Sequence, residues 1–228
     1  MDGTGDLFEP FIQAVPSHVG TTVVRYPGDS SLGYSELLKL AKASLPTDCE
    51  YFLLGESFSG PIAVLLAAER PPGMRGLVLS CSFVKNPVPL VAPFRFLLGL
   101  VPAALPPGKA LNWSLLGKYA TPALELSIRA AMKKVSPRAM HVRLRTVMDV
   151  DVTEDARRVG VPTLYLRATE DRLVPRGASR LVKEVLPNVE VLDIPGPHFL
   201  LQTQPSRCAA AITGYMTETL SGEPIPSG

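Results

Sequence analysis

Between a short apolar run at 51–54 (YFLL) and a proline-opened apolar stretch at 61–69 (PIAVLLAAE), the chain places Gly55-Glu56-Ser57-Phe58-Ser59-Gly60. The run reads as a buried strand. The stretch reads as a helix, because proline suits a first helical turn. A strand that becomes a helix within six residues turns on a tight bend, and the bend lifts one hydroxyl, that of Ser57, above the end of the sheet. The positions two before and two after that serine must be small, because backbone closes on backbone there. Gly55 and Ser59 meet the need, with Gly60 one place later than the strict G-x-S-x-G spacing.

The rest of the chain repeats the alternation. TTVVRY at 21–26 is β-branched, stops at Pro27-Gly28 and reads as a strand. Leu37, Leu38, Ala41 and Leu45 share one face of a helix starting at Tyr34. RGLVLS at 75–80, VPTLYLRA at 161–168 and VEVLDI at 189–194 read as strands, and 177–186 and 205–220 as helices. Strands separated by helices of this length predict βαβ units, a mostly parallel sheet and an α/β fold. The segment 83–152 differs. It starts proline-rich (NPVPLVAPF) and continues with helical patterns (LELSIRAAMKK, SPRAMHVRLRTVM), so it reads as a helical cap inserted between two strands. The expected organisation is a core of 1–82 and 153–221, a cap of 83–152 and a polar tail of 222–228. Lys133, Lys134, Arg143 and Arg145 read as a solvated basic face of the cap.

Composition removes several classes of function. With 46% hydrophobic and 19% charged residues and a net charge of +2, the chain is neither disordered nor an evident nucleic-acid binder. Cys49, Cys81 and Cys208 are too few and too scattered for a disulfide framework or a zinc cluster, and no H-x-H, H-E-x-x-H or C-x-x-C occurs. No phosphate-binding G-x-x-x-x-G-K-[ST] is present, so neither a metal nor a nucleotide cofactor is expected. No basic leader precedes an apolar run and no apolar stretch is long enough to span a bilayer. The cytoplasm is the default location, and the sequon at Asn112 is taken as chance.

A serine nucleophile needs a base, and the base needs an orienting carboxylate. Of three histidines, His18 precedes the serine and His141 lies in a basic helix of the cap. His198 follows the last strand in the turn PGPHF, where a base can reach the end of the sheet. Asp171 follows the strand at 161–168 in TEDRLVP and is the candidate acid. Asp149, Asp151 and Asp155 at the cap exit are its rivals. Asp193 lies inside a strand, and Glu170 faces the other way from Asp171. Two N–H donors are needed to hold the oxyanion of a tetrahedral intermediate. One is that of Phe58, directly after the nucleophile. The other is expected from the glycine-rich turn Asp2-Gly3-Thr4-Gly5, at Thr4.

DGTGD, GESFSGP, LRATEDRLVP and GPHFLLQ, in that order, resemble the serine-esterase branch of the α/β-hydrolase superfamily over nearly the whole chain. The resemblance implies a central parallel sheet under a helical cap, and hydrolysis through an acyl-enzyme with Ser57 as nucleophile, His198 as base and Asp171 as orienting acid. It also exposes a departure. The strands that normally precede the oxyanion loop are missing, and one of them would lie between TTVVRY and YFLL. Three readings follow: a shortened version of a longer chain, a reduced sheet, or a homodimer in which a second copy fills the gap. The cap is rich in apolar residues, among them Val88, Leu90, Val91, Phe94, Phe96 and Trp113, which favours a small apolar ester of short to medium chain length. Lipase, thioesterase, lactonase or acyltransferase action would use the same residues. A non-catalytic ligand-binding protein on the same fold is the rival of a different class.

Overall fold

The computed structural model describes residues 2–89 and 109–222. Leu90, Val91, Phe94 and Phe96 of the apolar cap stretch, and the tail from 223 onward, lie outside them. In chain order the helices are α1 (Glu9–Ala14), α2 (Tyr34–Ala43), α3 (Gly60–Ala68), α4 (Lys109–Leu116), α5 (Pro122–Lys133), α6 (Pro137–Asp149), α7 (Thr153–Ala156), α8 (Arg176–Val185), α9 (Leu200–Thr203) and α10 (Pro205–Ser221). The strands are β1 (Tyr51–Glu56), β2 (Met74–Ser80), β3 (Thr163–Ala168) and β4 (Val189–Ile194). They form one parallel sheet in the order β1-β2-β3-β4.

Burial explains the order. β2 and β3 read as almost continuous apolar runs, and both are buried along nearly their whole length, as interior strands covered on both faces must be. Because side chains alternate across a strand, Leu77, Leu79 and Tyr165 pack on one face with Ala63, Val64 and Val182 from α3 and α8. Val78, Leu164 and Leu166 pack on the other face with Leu201, Cys208 and Ile212 from α9 and α10. Each fully buried leucine contributes about 1.5–3 kcal/mol, so these two central strands carry the sheet. β1 and β4 are edge strands and only half-buried.

The expected strand at 21–26 is not one. Those residues join no ladder. Their β-branched pattern predicts a pleated conformation, but a strand also needs a partner backbone. Here the one backbone–backbone bond among the described residues is Tyr26 N–H to Gly3 O at 2.7 Å, with Arg25 adding side-chain bonds to Thr4 O and Asp6. The sheet is therefore the reduced one, beginning at β1, the strand that leads into the bend at Ser57. α1 was not anticipated; its Glu-Pro start places an acid and a proline in the first turn.

The segment leaving β2 at Ser80 returns at β3. Its ends are stitched together by Val152 N–H to Val84 O at 2.7 Å, Asn86 N–H to Val150 O at 3.0 Å and the Lys85–Asp151 bridge. Among its described residues, α5 and α6 start at Thr121-Pro122 and Ser136-Pro137. In both, the hydroxyl residue caps an orphan N–H: Thr121 Oγ1 accepts from Leu124 at 3.2 Å and Ser136 Oγ from Ala139 at 3.1 Å. Arg143 on α6 corrects the reading of a solvated basic face. It is fully buried, turned inward against 2–5 and 26–27. Among the described residues no helix is long and apolar enough to cross a membrane.

Candidate active site

β1 ends at Glu56 and a short 3-10 turn, Ser57–Ser59, leads into α3. Ser57 sits at φ +49°, the left-handed region a non-glycine residue enters only when its surroundings enforce it. The surroundings are visible. A Cβ on Gly55 would stand 2.8 Å from Ala63 Cβ and 2.9 Å from Gly60 Cα, so no other residue fits there. A Cβ on Gly60 would overlap Ser82 Oγ at the end of β2. Ser59 keeps a small polar side chain near the Tyr26 hydroxyl. The shifted spacing thus has a cause: the tight approach to the neighbouring strand falls at Gly60, not at position 59. Ser82 Oγ donates to Ser57 O at 2.8 Å, and Tyr165 hydroxyl donates to Ser82 O at 2.7 Å. The bend is therefore tied to both central strands.

Ser57 Oγ stands 2.8 Å from His198 Nε2, and His198 Nδ1 stands 2.9 Å from Asp171 Oδ2. The side chains of His198 and Asp171 are 5% and 6% exposed, so the pair is shielded from water. The acid is held from behind. Asp171 Oδ1 accepts the Leu173 N–H at 2.8 Å and the Val174 N–H at 2.9 Å, which leaves Oδ2 aimed at the imidazole. His198 lies in a loop secured by Phe199 N–H to Leu115 O of α4 at 3.1 Å. Its start is secured by Glu170 N–H to Gly196 O at 2.9 Å. A hydroxyl, an imidazole and a carboxylate in this sequence allow the imidazole to take the hydroxyl proton while the carboxylate fixes its tautomer.

The rival carboxylates lie elsewhere. Asp151 pairs with Lys85, Asp155 with Arg158, Asp193 with Arg167, and Glu170 with Lys118. Asp149 lines an open crevice of about 360 Å³ with Tyr34, Val142, Arg145, Thr146 and Val150, which none of Ser57, Asp171 and His198 lines. Cys81, directly after β2 and buried, is no competing nucleophile. Burial, with the charges of Asp171 and Glu56, pushes its thiol well above the ordinary range.

Phe58 is buried and stacked on Tyr34 with ring centroids 4.9 Å apart, and its carbonyl accepts the Tyr34 hydroxyl at 3.0 Å. Its N–H opens a helix, where no carbonyl lies behind it to accept, so it is a donor available to the site. Thr4 requires a correction. Its N–H is donated to Asp2 Oδ1 at 3.0 Å and its hydroxyl to the same oxygen at 2.6 Å. Asp-Gly-Thr-Gly folds as a turn closed by its own aspartate, and an amide committed to a carboxylate is not a spare oxyanion donor.

Three supporting residues were not singled out from sequence: Tyr34, Ser82 and Gln202. Gln202 Nε2 donates at 3.0 Å to Glu56 Oε2, linking α9 to the end of β1. That Glu56 is buried, which raises its pKa, with the Gln202 bond and the nearby His198 offsetting part of the rise. A four-residue offset from His198 places Gln202 on the helix that follows the base, but nothing in the sequence pairs it with Glu56.

Comparison with known proteins gives the family and the fold. A family model described as serine aminopeptidase, S33, matches residues 33–196. A putative carbamate hydrolase RutD from Caulobacter sp. (strain K31) is 36% identical over 90 residues, which cover 39% of this chain but 32% of that protein. Among solved structures, a hydrolase from Oleispira antarctica superposes with a TM-score of 0.80 at 12% identity, over 95% of this chain and 88% of the other. An esterase from Exiguobacterium antarcticum superposes with a TM-score of 0.75 at 12% identity, over 94% and 88%. At such identities the superpositions speak for the fold alone. Match and fold together place the chain in the serine aminopeptidase S33 family, with the α/β-hydrolase fold.

Proposed function

We propose that the chain is a serine carboxylesterase acting on short- to medium-chain esters. The observation that carries the reading is the continuous chain of short contacts from Ser57 Oγ through His198 to Asp171. In the proposed cycle His198 Nε2 takes the Ser57 proton as Oγ attacks the ester carbonyl. The Phe58 N–H receives the charge that develops on the carbonyl oxygen. Collapse of the tetrahedral intermediate breaks the acyl–oxygen bond, and His198 returns the proton to the departing alcohol. Water, activated by the same imidazole, then attacks the acyl-enzyme and releases the carboxylate and free Ser57. Asp171 stays ionised throughout and keeps Nδ1 protonated. Preference for an apolar acyl group is inferred from the apolar composition of the segment 83–152, of which Leu115, Leu116 and Ile128 pack with Phe199 of the base loop.

The test is hydrolysis of p-nitrophenyl esters from acetate to palmitate by wild type and Ser57→Ala. The expected result is an optimum between butyrate and octanoate and a loss of about four or more orders of magnitude in kcat in the variant. Equal rates in the two proteins would overturn the reading, as would a wild type that neither hydrolyses esters nor reacts with a fluorophosphonate at Ser57.

A further inference from the structure

Among the described residues Arg143 is the largest fully buried side chain, and it belongs to the cap rather than to the core. Its Nη1 donates to the Asp2 carbonyl at 2.7 Å and its Nη2 to the Pro27 carbonyl at 2.7 Å. Between these two bonds lies the Tyr26 N–H to Gly3 O bond, also 2.7 Å. The guanidinium therefore clamps two core segments, 2–5 and 26–27, that no sheet ladder holds. The fit is close: a Cβ on Gly3, at φ +71°, would lie 2.9 Å from Tyr26 Cβ and 3.1 Å from Arg143 Nη1. Tyr26 then carries the clamp into the bend by packing with Phe58 and Ile62, its hydroxyl near Ser59.

Burying a guanidinium is expensive, and a helix that only had to pack at this place would do as well with an apolar side chain of similar volume. Two charge-assisted bonds to backbone carbonyls, with the Asp2 carboxylate nearby, offset the desolvation. A planar fork reaches two separate carbonyls from two nitrogens, which a lysine with its single nitrogen cannot reproduce. We propose that Arg143 is a positioning residue for the reaction at Ser57: from the cap, it fixes the 2–5 turn and Tyr26, and through Tyr26 it fixes the bend that aims Ser57 Oγ and the Phe58 N–H. The proposal rests on the esterase reading for its kinetic consequence, but its structural claim stands on the clamp alone.

The experiment uses the full chain as wild type, Arg143→Lys, Arg143→Met, Tyr26→Phe and the Lys/Phe double variant. Two readouts are taken: steady-state kinetics on p-nitrophenyl butyrate, per active site titrated with a fluorophosphonate, and amide hydrogen exchange. Arg143→Met is expected to lower kcat roughly 10- to 100-fold while KM moves less than about 3-fold, the signature of misplaced rather than missing groups. Arg143→Lys retains more activity, and its effect and that of Tyr26→Phe combine less than additively. Exchange quickens at 2–8 and 21–28 and stays unchanged in Tyr51–Glu56. Wild-type kcat and KM in Arg143→Lys and Tyr26→Phe would overturn the proposal, as would unchanged exchange at 2–8 and 21–28 in Arg143→Lys. Should Arg143→Met fail to fold, these two milder variants decide. A wild type that labels at Ser57 but hydrolyses no ester overturns the esterase reading alone. The labelling rate then replaces kcat, and its fall in Arg143→Lys supports the clamp while an unchanged rate overturns it.

Discussion

Replacing Asp171 by Asn and by Ala separates two jobs that one carboxylate does. Oδ2 accepts from His198 Nδ1 at 2.9 Å, and Oδ1 accepts the N–H groups of Leu173 and Val174. In Asp171→Asn the amide oxygen can still accept both backbone bonds, so the turn survives. The amide nitrogen then faces Nδ1, and two donors cannot face each other. The imidazole must turn its lone pair to Nδ1 and carry its proton on Nε2, the atom 2.8 Å from Ser57 Oγ. A protonated Nε2 cannot take the serine proton, and the expected loss is about 10⁴ in kcat, near 5 kcal/mol of barrier. Stability should change by less than about 1 kcal/mol, since no buried N–H is orphaned. In Asp171→Ala the activity loss is similar, but two N–H groups lose their acceptor, at about 1–3 kcal/mol each where water does not reach them. The assays are p-nitrophenyl butyrate hydrolysis and urea unfolding on both variants. Asp171→Asn with kcat within 10-fold of wild type would refute the orienting role, and equal stability losses in the two variants would refute the division between the oxygens.

Two further outcomes follow from the same packing. Burial raises the Glu56 pKa above its ordinary value of 4.5, so the folded state holds that proton more tightly than the unfolded chain. Its contribution is fully present below pH 4.5 and is lost as pH rises through the folded value. Glu56→Gln should therefore be more stable than wild type at pH 8, with the gap closing by pH 4, as thermal unfolding across that range would read. Gly60→Ala should destabilise by about 1–3 kcal/mol or more, because its Cβ would overlap Ser82 Oγ. Gly60→Ala combined with Ser82→Gly should recover part of that loss in denaturant unfolding, whereas additive losses would show that the clash is not the cause.

Much of the site was written locally. The bend at 55–60 is readable because its causes lie within a dozen residues: an apolar run, two glycines and a proline that starts a helix. His198 and Asp171 follow from chain order, since each comes just after a strand whose pattern is plain. The four strands of the sheet are legible for the same reason, being apolar runs bounded by turn residues. TTVVRY shows the limit of such reading. Its composition favours a pleated backbone, but pairing is a property of two segments, and the second is not beside it in this fold.

What tertiary structure alone decided concerns partners far apart in sequence. Arg143 and Asp2 are 141 positions apart, as are Ser57 and His198. The second pair could be anticipated because catalysis restricts the residue types to a hydroxyl and an imidazole, and only three histidines were available. The first could not, because an arginine on an amphipathic helix is solvated or buried according to which face meets the core, and composition sets no such choice. Thr4 fails for a related reason: a glycine-rich turn promises free N–H groups, but Asp2 closes on it at 3.0 Å. Sequence determined the local conformations and the chemical inventory. Close packing of distant segments decided which donors were left free, which charge was buried, and how the serine is held.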